Sequence, residues 1–380
     1  MVTTLGEISR ESAKRFGDKT ALIIEDKSFS YKEIDAMACR VANGLKASGV
    51  RPGDRVTLYS SNCGEWAVSY HAIAKTGAVI NPINVMLTSD EVNYGVEDSG
   101  TTAVLGSADK AESLLDLKGN NELKEIVLFG DTVPTGAISF EEWLKSGADT
   151  YEVAHRNRED LAAICYTSGT TGHPKGAMHS HRNILANAQG TAMMHVRTES
   201  DVMVNSLPLP HVYGSVVFNS GFMYGAKLVI VPRFEEEAVM LAIQQHRATI
   251  LDGVPTAYYF LLAHPKFDDY DLSTLTRSTV GGQTLPAAKS IEWEERVGTA
   301  VLELWGMTEL AGAATANPYY GDNKPGTIGL VYPGSEGKIV SAEDPTLDLE
   351  IGDEGEFMFR GPLVMPVSYT HLTLPTILLV

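Results

Sequence analysis

Short apolar runs alternate with stretches of helical periodicity along most of the chain. The runs Ala21–Ile24, Arg55–Tyr59, Ala103–Leu105 and Glu125–Phe129 predict strands, because four to eight apolar or β-branched residues bounded by polar turns suit a buried strand. Between them, Tyr31 to Ser48 places Ile34, Ala38, Val41, Ala42 and Leu45 on one helical face, with Ser30 positioned as N-cap. Asn62 to Thr76 is a second helical stretch. The alternation resumes after Arg158, where Leu161–Tyr166, Val202–Ser206, Lys227–Val231, Ala248–Leu251, Thr279–Val280 and Ala300–Leu304 read as strands. Strands alternating with helices imply a mostly parallel sheet covered on both faces.

Two such runs, separated by the polar segment Asp131–Glu159, predict an α/β fold with two doubly wound, mostly parallel subdomains, about residues 1–158 and 159–317. After Asn317 the texture changes to Gly- and Pro-rich turns around short strands, Gly326–Leu330, Lys338–Val340 and Glu356–Phe359. Residues 318–366 therefore read as a partial β subdomain, an incomplete small barrel. From Val367 the chain reads VSYTHLTLPTILLV, without acids, Lys or Arg. It resembles a translated sequencing adapter, so residues 367–380 are expected to lie outside the fold, leaving 1–366 as the protein proper.

Charge narrows the partners. The 30 Lys+Arg against 48 Asp+Glu give a formal net charge of −18, which repels phosphate backbones and disfavours a nucleic-acid partner. No stretch of the chain approaches a membrane span, so no integral membrane association is expected. Cys39, Cys63 and Cys165 are widely spaced and form no metal pattern, which fits a reducing compartment and a cytoplasmic location.

The strongest chemical signal is Tyr166–Met178, YTSGTTGHPKGAM, directly after a buried-looking strand. Glycines let a backbone approach a polyphosphate, N–H groups and hydroxyls donate to its oxygens, and Lys175 adds a point charge. Gly176 follows Lys175, so the GxxxxGK[ST] spacing of P-loop kinases and GTPases is absent. Further along, Leu304, Trp305 and Gly306 end a strand beside Met307, Thr308 and Glu309. An aromatic plane can stack on a base, and a carboxylate can hold a hard cation against phosphates. Outside such a motif Trp305 would as readily be core packing and Glu309 a solvated charge. In Val280–Pro286, VGGQTLP, paired glycines before a helix starting near Pro286 permit close approach to a flat ligand.

YTSGTTGHPKGAM resembles the signature of the adenylate-forming superfamily, which includes acyl-CoA synthetases, aryl-CoA ligases, luciferases and peptide-synthetase adenylation domains. Five more elements follow in that family's order: LPLPHVYG at Leu207–Gly214, VGGQTLP, ELWGMTE at Glu303–Glu309, PGTIG at Pro325–Gly329 and DEGEFMFRGP at Asp353–Pro362. The resemblance implies ATP-dependent activation of a carboxylic acid through an acyl-adenylate to a CoA thioester, with ATP, Mg2+ and CoA. It assigns nucleotide binding to Thr167, Ser168, Gly169, Thr170, Thr171, Gly172, Lys175, Gly282, Gln283, Thr284, Leu304, Trp305, Gly306, Met307 and Thr308. It implies catalytic roles for Lys175, His211, Thr308 and Glu309, a metal held by Thr167 and Glu309, and an acyl pocket of His211, Val212, Tyr213, Gly282 and Gly306. His179 and His181 are expected to be structural or exposed.

Within the superfamily, amino-acid adenylating domains place an Asp after the LPLP-like strand, whereas PHVYGSVVF holds no acid. A short diacid such as malonate would want an arginine, and none lies in Leu207–Gly225. A fatty or other hydrophobic acid is therefore expected; an aryl-CoA ligase, a luciferase-like member or a nucleotide-binding module without turnover are the alternatives. The family's ribose-binding aspartate and C-terminal lid domain with its lysine do not follow here, so the chain is expected to act as a truncated form with weak ATP binding and little activity. Chain length of the acid, the thiol acceptor and the oligomeric state stay open.

Overall fold

Local signals and burial agree over most elements. The computed structural model describes residues 2–119, 122–167 and 174–366. The helix Tyr31–Ala47 begins where Ser30 accepts from Glu33 N, and Glu33 reaches back to the Ser30 backbone as a capping box. Its buried face contains the five periodic residues expected from sequence, Ile34, Ala38, Val41, Ala42 and Leu45. The helices Gly64–Thr76 and Val212–Tyr224 are buried on almost every side, which explains why neither shows a polar face.

Two large sheets and a two-stranded ribbon are present among the described residues. One has seven strands in the spatial order Ile138–Ser139, Glu125–Phe129, Thr101–Ser107, Arg55–Tyr59, Val79–Ile83, Leu161–Thr167, Lys175–Ser180. All its pairings are parallel except the last, a hairpin that sets Thr167 opposite Lys175. The other has nine strands in the order Leu330–Val331, Gly312–Ala316, Val301–Met307, Arg277–Val280, Ile250–Gly253, Val202–Asn205, Lys227–Ile230, Thr20–Ile24, Lys27–Ser30. Its centre is parallel and its two ends are antiparallel. The mostly parallel α/β reading thus holds.

Sheet membership interleaves along the chain. Thr20–Ile24 joins the nine-stranded sheet beside Lys227–Ile230, while Leu161–Thr167 and Lys175–Ser180 complete the seven-stranded one. The division near residue 158 expected from the alternation therefore does not coincide with a sheet boundary. One core cluster spans both sheets, with Trp66, Tyr70 and His71 of one central helix against Phe218 and Phe222 of the other.

Residues 318–366 depart from expectation in detail. The strand expected over Gly326–Leu330 is only Leu330–Val331, because Gly326 and Gly329 take left-handed φ of 83° and 76°, which breaks a pleat. Glu336–Val340 and Glu356–Arg360 form a two-stranded ribbon, and among the described residues these strands close no barrel. Residues 367–380 lie outside the described residues. No helix among the described residues is long and apolar enough to cross a membrane.

The core also holds neutral histidines. Burial pushes His71 down to about 3 and His179 and His181 to about 4, and holds His195 well below its usual value. Their folded-state values lie below the unfolded ones, so the unfolded chain takes up more protons as pH falls below about 6.5. Stability is then full above that pH and is lost toward pH 4, by about 1.4 kcal/mol per pH unit for each such histidine. Melting is expected to show a Tm that is level from pH 7.5 to about 6.5 and falls from there to pH 5; a profile flat throughout would mean that these imidazoles are protonated in the folded chain.

Candidate active site

The nine-stranded sheet meets the edge of the seven-stranded one at a cavity of about 440 Å³. Its walls are Thr167, Lys175, His211, Val212, Tyr213, Gly282, Leu304, Gly306, Met307, Thr308, Glu309, Gly312 and Ala313. Eleven of these thirteen are residues assigned to the site from the motifs, brought together from four separate segments.

The hairpin Val301–Met307/Gly312–Ala316 carries Thr308 and Glu309 at its tip, in a single 3-10 turn. Two glycines make the tight closure possible: a Cβ on Gly306 would sit 1.9 Å from the Gly312 carbonyl oxygen, and Gly312 itself has φ 133°. Three donors then fix the tip. His179 Nε2–H donates to the Thr308 carbonyl at 2.6 Å, which burial permits because the ring stays neutral. Asn187 donates to the carbonyls of Leu310 and Ala313 at 2.9 and 2.7 Å. Met365 N donates to the Glu309 carbonyl at 2.9 Å. The Glu309 side chain lines the cavity, and no ion pair ties it among the described residues.

Thr167 and Lys175 face each other across the hairpin that brackets the phosphate-loop motif, and Thr167 Oγ1 donates to the Lys175 carbonyl at 3.4 Å. Ser168, Gly169, Thr170, Thr171 and Gly172 lie outside the described residues. His211 caps the helix Val212–Tyr224, its Nδ1 accepting from Tyr213 N at 3.2 Å. Its ring is exposed at the cavity wall, yet surrounding protein atoms desolvate it and hold its pKa below the usual value. Gly214 lets the preceding turn close, since a Cβ there would lie 2.1 Å from the Pro208 carbonyl oxygen. Gly282 has φ 91°, a conformation that favours glycine.

Three assigned residues do not line the cavity. Gln283 and Thr284 sit on the exposed turn beyond Gly282. Trp305 packs edge-on against Phe357, 5.5 Å between centroids, so it backs the wall formed by Leu304 and Gly306. His179, Asn187, Gly312 and Ala313 were not assigned from sequence. His179 and Asn187 act only through the fold, and no local pattern marks them. The glycine after Leu310 and Ala311 is a signal that a tight hairpin could have supplied.

As a metal fit, the wall offers the Glu309 carboxylate and the Thr167 hydroxyl. A hard cation that keeps several waters and substrate phosphates needs no more protein ligands than these.

A family profile described as AMP-binding enzyme matches residues 9–369. The chain is 29% identical over 393 residues to a long-chain-fatty-acid–CoA ligase of Bacillus subtilis (strain 168), covering 95% of this chain and 70% of the ligase. The structure superposes on anthranilate CoA ligase AuaEII, solved in complex with anthranoyl-AMP, with a TM-score of 0.92 and 29% identity over 97% of this chain and 71% of that one. ATP-bound MatB from Rhodopseudomonas palustris gives a TM-score of 0.87 and 30% identity, over 97% of this chain and 72% of that one.

Proposed function

The chain belongs to the AMP-binding enzyme family, and from that premise we propose that it activates a hydrophobic carboxylic acid, fatty or aryl, with ATP and passes the acyl group to CoA. The observation that carries this reading is the convergence of Lys175, His211, Thr308 and Glu309 on one cavity walled by glycine backbone at Gly282 and Gly306. A carboxylate oxygen attacks the α-phosphorus of ATP and pyrophosphate leaves. The CoA thiol, giving up its proton to solvent, then attacks the acyl carbon, and AMP leaves with the bonding electrons.

In this scheme Thr308 donates to the α-phosphate, and Lys175, with Thr170 and Thr171, holds the departing phosphates. His211 sits where the acid's carboxylate enters. Positioning and charge neutralisation dominate such a transfer. Mg2+, held by Glu309 and Thr167, would supply further neutralisation of the phosphate charge. The three free cysteines are held above their usual pKa by burial, Cys63 and Cys165 up to about 12, so they stay protonated and take no part. Such thiols suit a reducing compartment, and we place the reaction in the cytoplasm.

The acid class follows from what the wall lacks. No acidic or basic residue lies in Val212–Tyr224 to pair with a substrate amine or second carboxylate. Arg197, behind Tyr213, is engaged by Asp252 and Ser220. Acid-dependent exchange of labelled pyrophosphate into ATP is therefore expected to run about tenfold or more faster with fatty or aryl acids than with amino acids or malonate. A preference for any amino acid or for malonate would overturn the acid assignment. ATP binding without exchange for any acid would instead identify a nucleotide-binding module.

A further inference from the structure

Behind the acid-binding end of the cavity the protein is polar and fully buried. Tyr213 lines the cavity, yet its side chain is almost wholly enclosed, and its hydroxyl lies 2.8 Å from Thr279 Oγ1. Thr279 donates to Asp252 Oδ1 at 2.7 Å, Asp252 pairs with Arg197, and Arg197 donates to Ser220 Oγ at 2.8 Å. Each of Thr279, Asp252 and Ser220 is at 0% exposure. The ring therefore spans from the cavity wall into a chain of hydrogen-bonded groups.

The neighbouring wall is equally closed. A Cβ on Gly312 would meet Val216 Cγ2 at 2.5 Å and Asn187 Oδ1 at 3.2 Å, so side chains already fill the space behind that strand. Asn187 is itself committed to the Leu310 and Ala313 carbonyls. An alkyl chain continuing in either direction would have to displace groups whose hydrogen bonds it cannot replace.

We propose that Tyr213 is the floor of the acid-binding pocket and limits the enzyme to compact acids, aryl or short-chain ones, rejecting long unbranched chains. This rests on the adenylate-forming reading of the same cavity. The phenol ring is a plug backed by the Thr279 hydroxyl and the Asp252–Arg197 pair, so swinging it aside would bring an alkyl chain against a buried charged pair.

The test uses stable mimics of the acyl-adenylate, acylsulfamoyl adenosines carrying benzoyl, butanoyl, dodecanoyl or hexadecanoyl groups, titrated calorimetrically. The parent chain is expected to bind the benzoyl and butanoyl mimics about a hundredfold more tightly than the hexadecanoyl one. Tyr213→Phe keeps the ring and should keep the same length limit. Tyr213→Ala should improve hexadecanoyl binding relative to benzoyl by about tenfold or more. Equal binding of benzoyl and hexadecanoyl mimics by the parent chain would overturn the size limit and leave the adenylate reading standing. A size limit unmoved in a folded Tyr213→Ala variant would remove Tyr213 from the role. If Tyr213→Ala fails to fold, the parent panel together with Tyr213→Phe decides: a limit lost on removing the hydroxyl alone overturns the ring-as-floor argument, and a limit retained supports it. If no acyl mimic binds more tightly than adenosine 5′-sulfamate, the adenylate reading itself falls and the inference with it.

Discussion

Arg197→Met is expected to cost about 3–5 kcal/mol of folding stability, the typical price of leaving one member of a buried ion pair alone. Arg197 and Asp252 both have side chains at 0% exposure, with the guanidinium also bonded to Ser220. Removing the cation strands a carboxylate whose remaining partner is the Thr279 hydroxyl. In Arg197→Met/Asp252→Leu both charges go, and much of the loss should return, because an apolar pair of similar volume avoids desolvating ions. Denaturant unfolding checks this, with midpoints compared at unchanged slope. A single-variant loss below about 1 kcal/mol would show that water reaches the pair, and a double variant no better than the single would show that the pair is specifically required.

For Glu309→Gln the expected pattern is reversed: little change in stability, and a loss of about 10²–10³ in acid-dependent pyrophosphate exchange. The hairpin tip is fixed through backbone carbonyls, by His179, Asn187 and Met365, none of which uses the Glu309 carboxylate. The amide substitution therefore keeps the shape and removes only the charge that would face a cation and developing phosphate charge. Exchange measured across a range of Mg2+ should show the variant needing more metal. Full activity at ordinary Mg2+ would take Glu309 out of the metal role, and a large drop in Tm would mean that its carboxylate holds the tip together.

Much of the fold was legible because local and tertiary demands coincide. Arg55–Tyr59 and Glu125–Phe129 are strands with the same bounds as their apolar runs, and Ser30 caps the helix that its spacing with Glu33 announces. Val79–Ile83 was not legible, because Asn81 and Pro82 interrupt its pattern; Asn81 is tolerated in the sheet only by donating to Thr57 and Ser99, partners distant in sequence. The site was legible where chemistry sits in contiguous motifs, as with Thr308 and Glu309. It was illegible where the motif residue faces away, as with Trp305 against Phe357, and where support is long-range, as with His179 reaching the Thr308 carbonyl.

The interleaved sheets have a consequence for how the chain comes to be folded. Leu22 lies beside Leu228, and Tyr31 donates to the Ala226 carbonyl at 2.7 Å. A ribosome adding about 5–20 residues per second makes the partner strand tens of seconds after the first one emerges. Through that interval Ala21, Leu22 and Ile24, all buried in the finished protein, have no native cover and present an open strand edge. High contact order of this kind slows closure and prolongs exposure of the nascent N-terminal segment to other chains and to chaperones. The two halves therefore do not mature one after the other. The opening thirty residues wait for the nine-stranded sheet, and the seven-stranded sheet is complete only once Lys175–Ser180 has turned back along Leu161–Thr167.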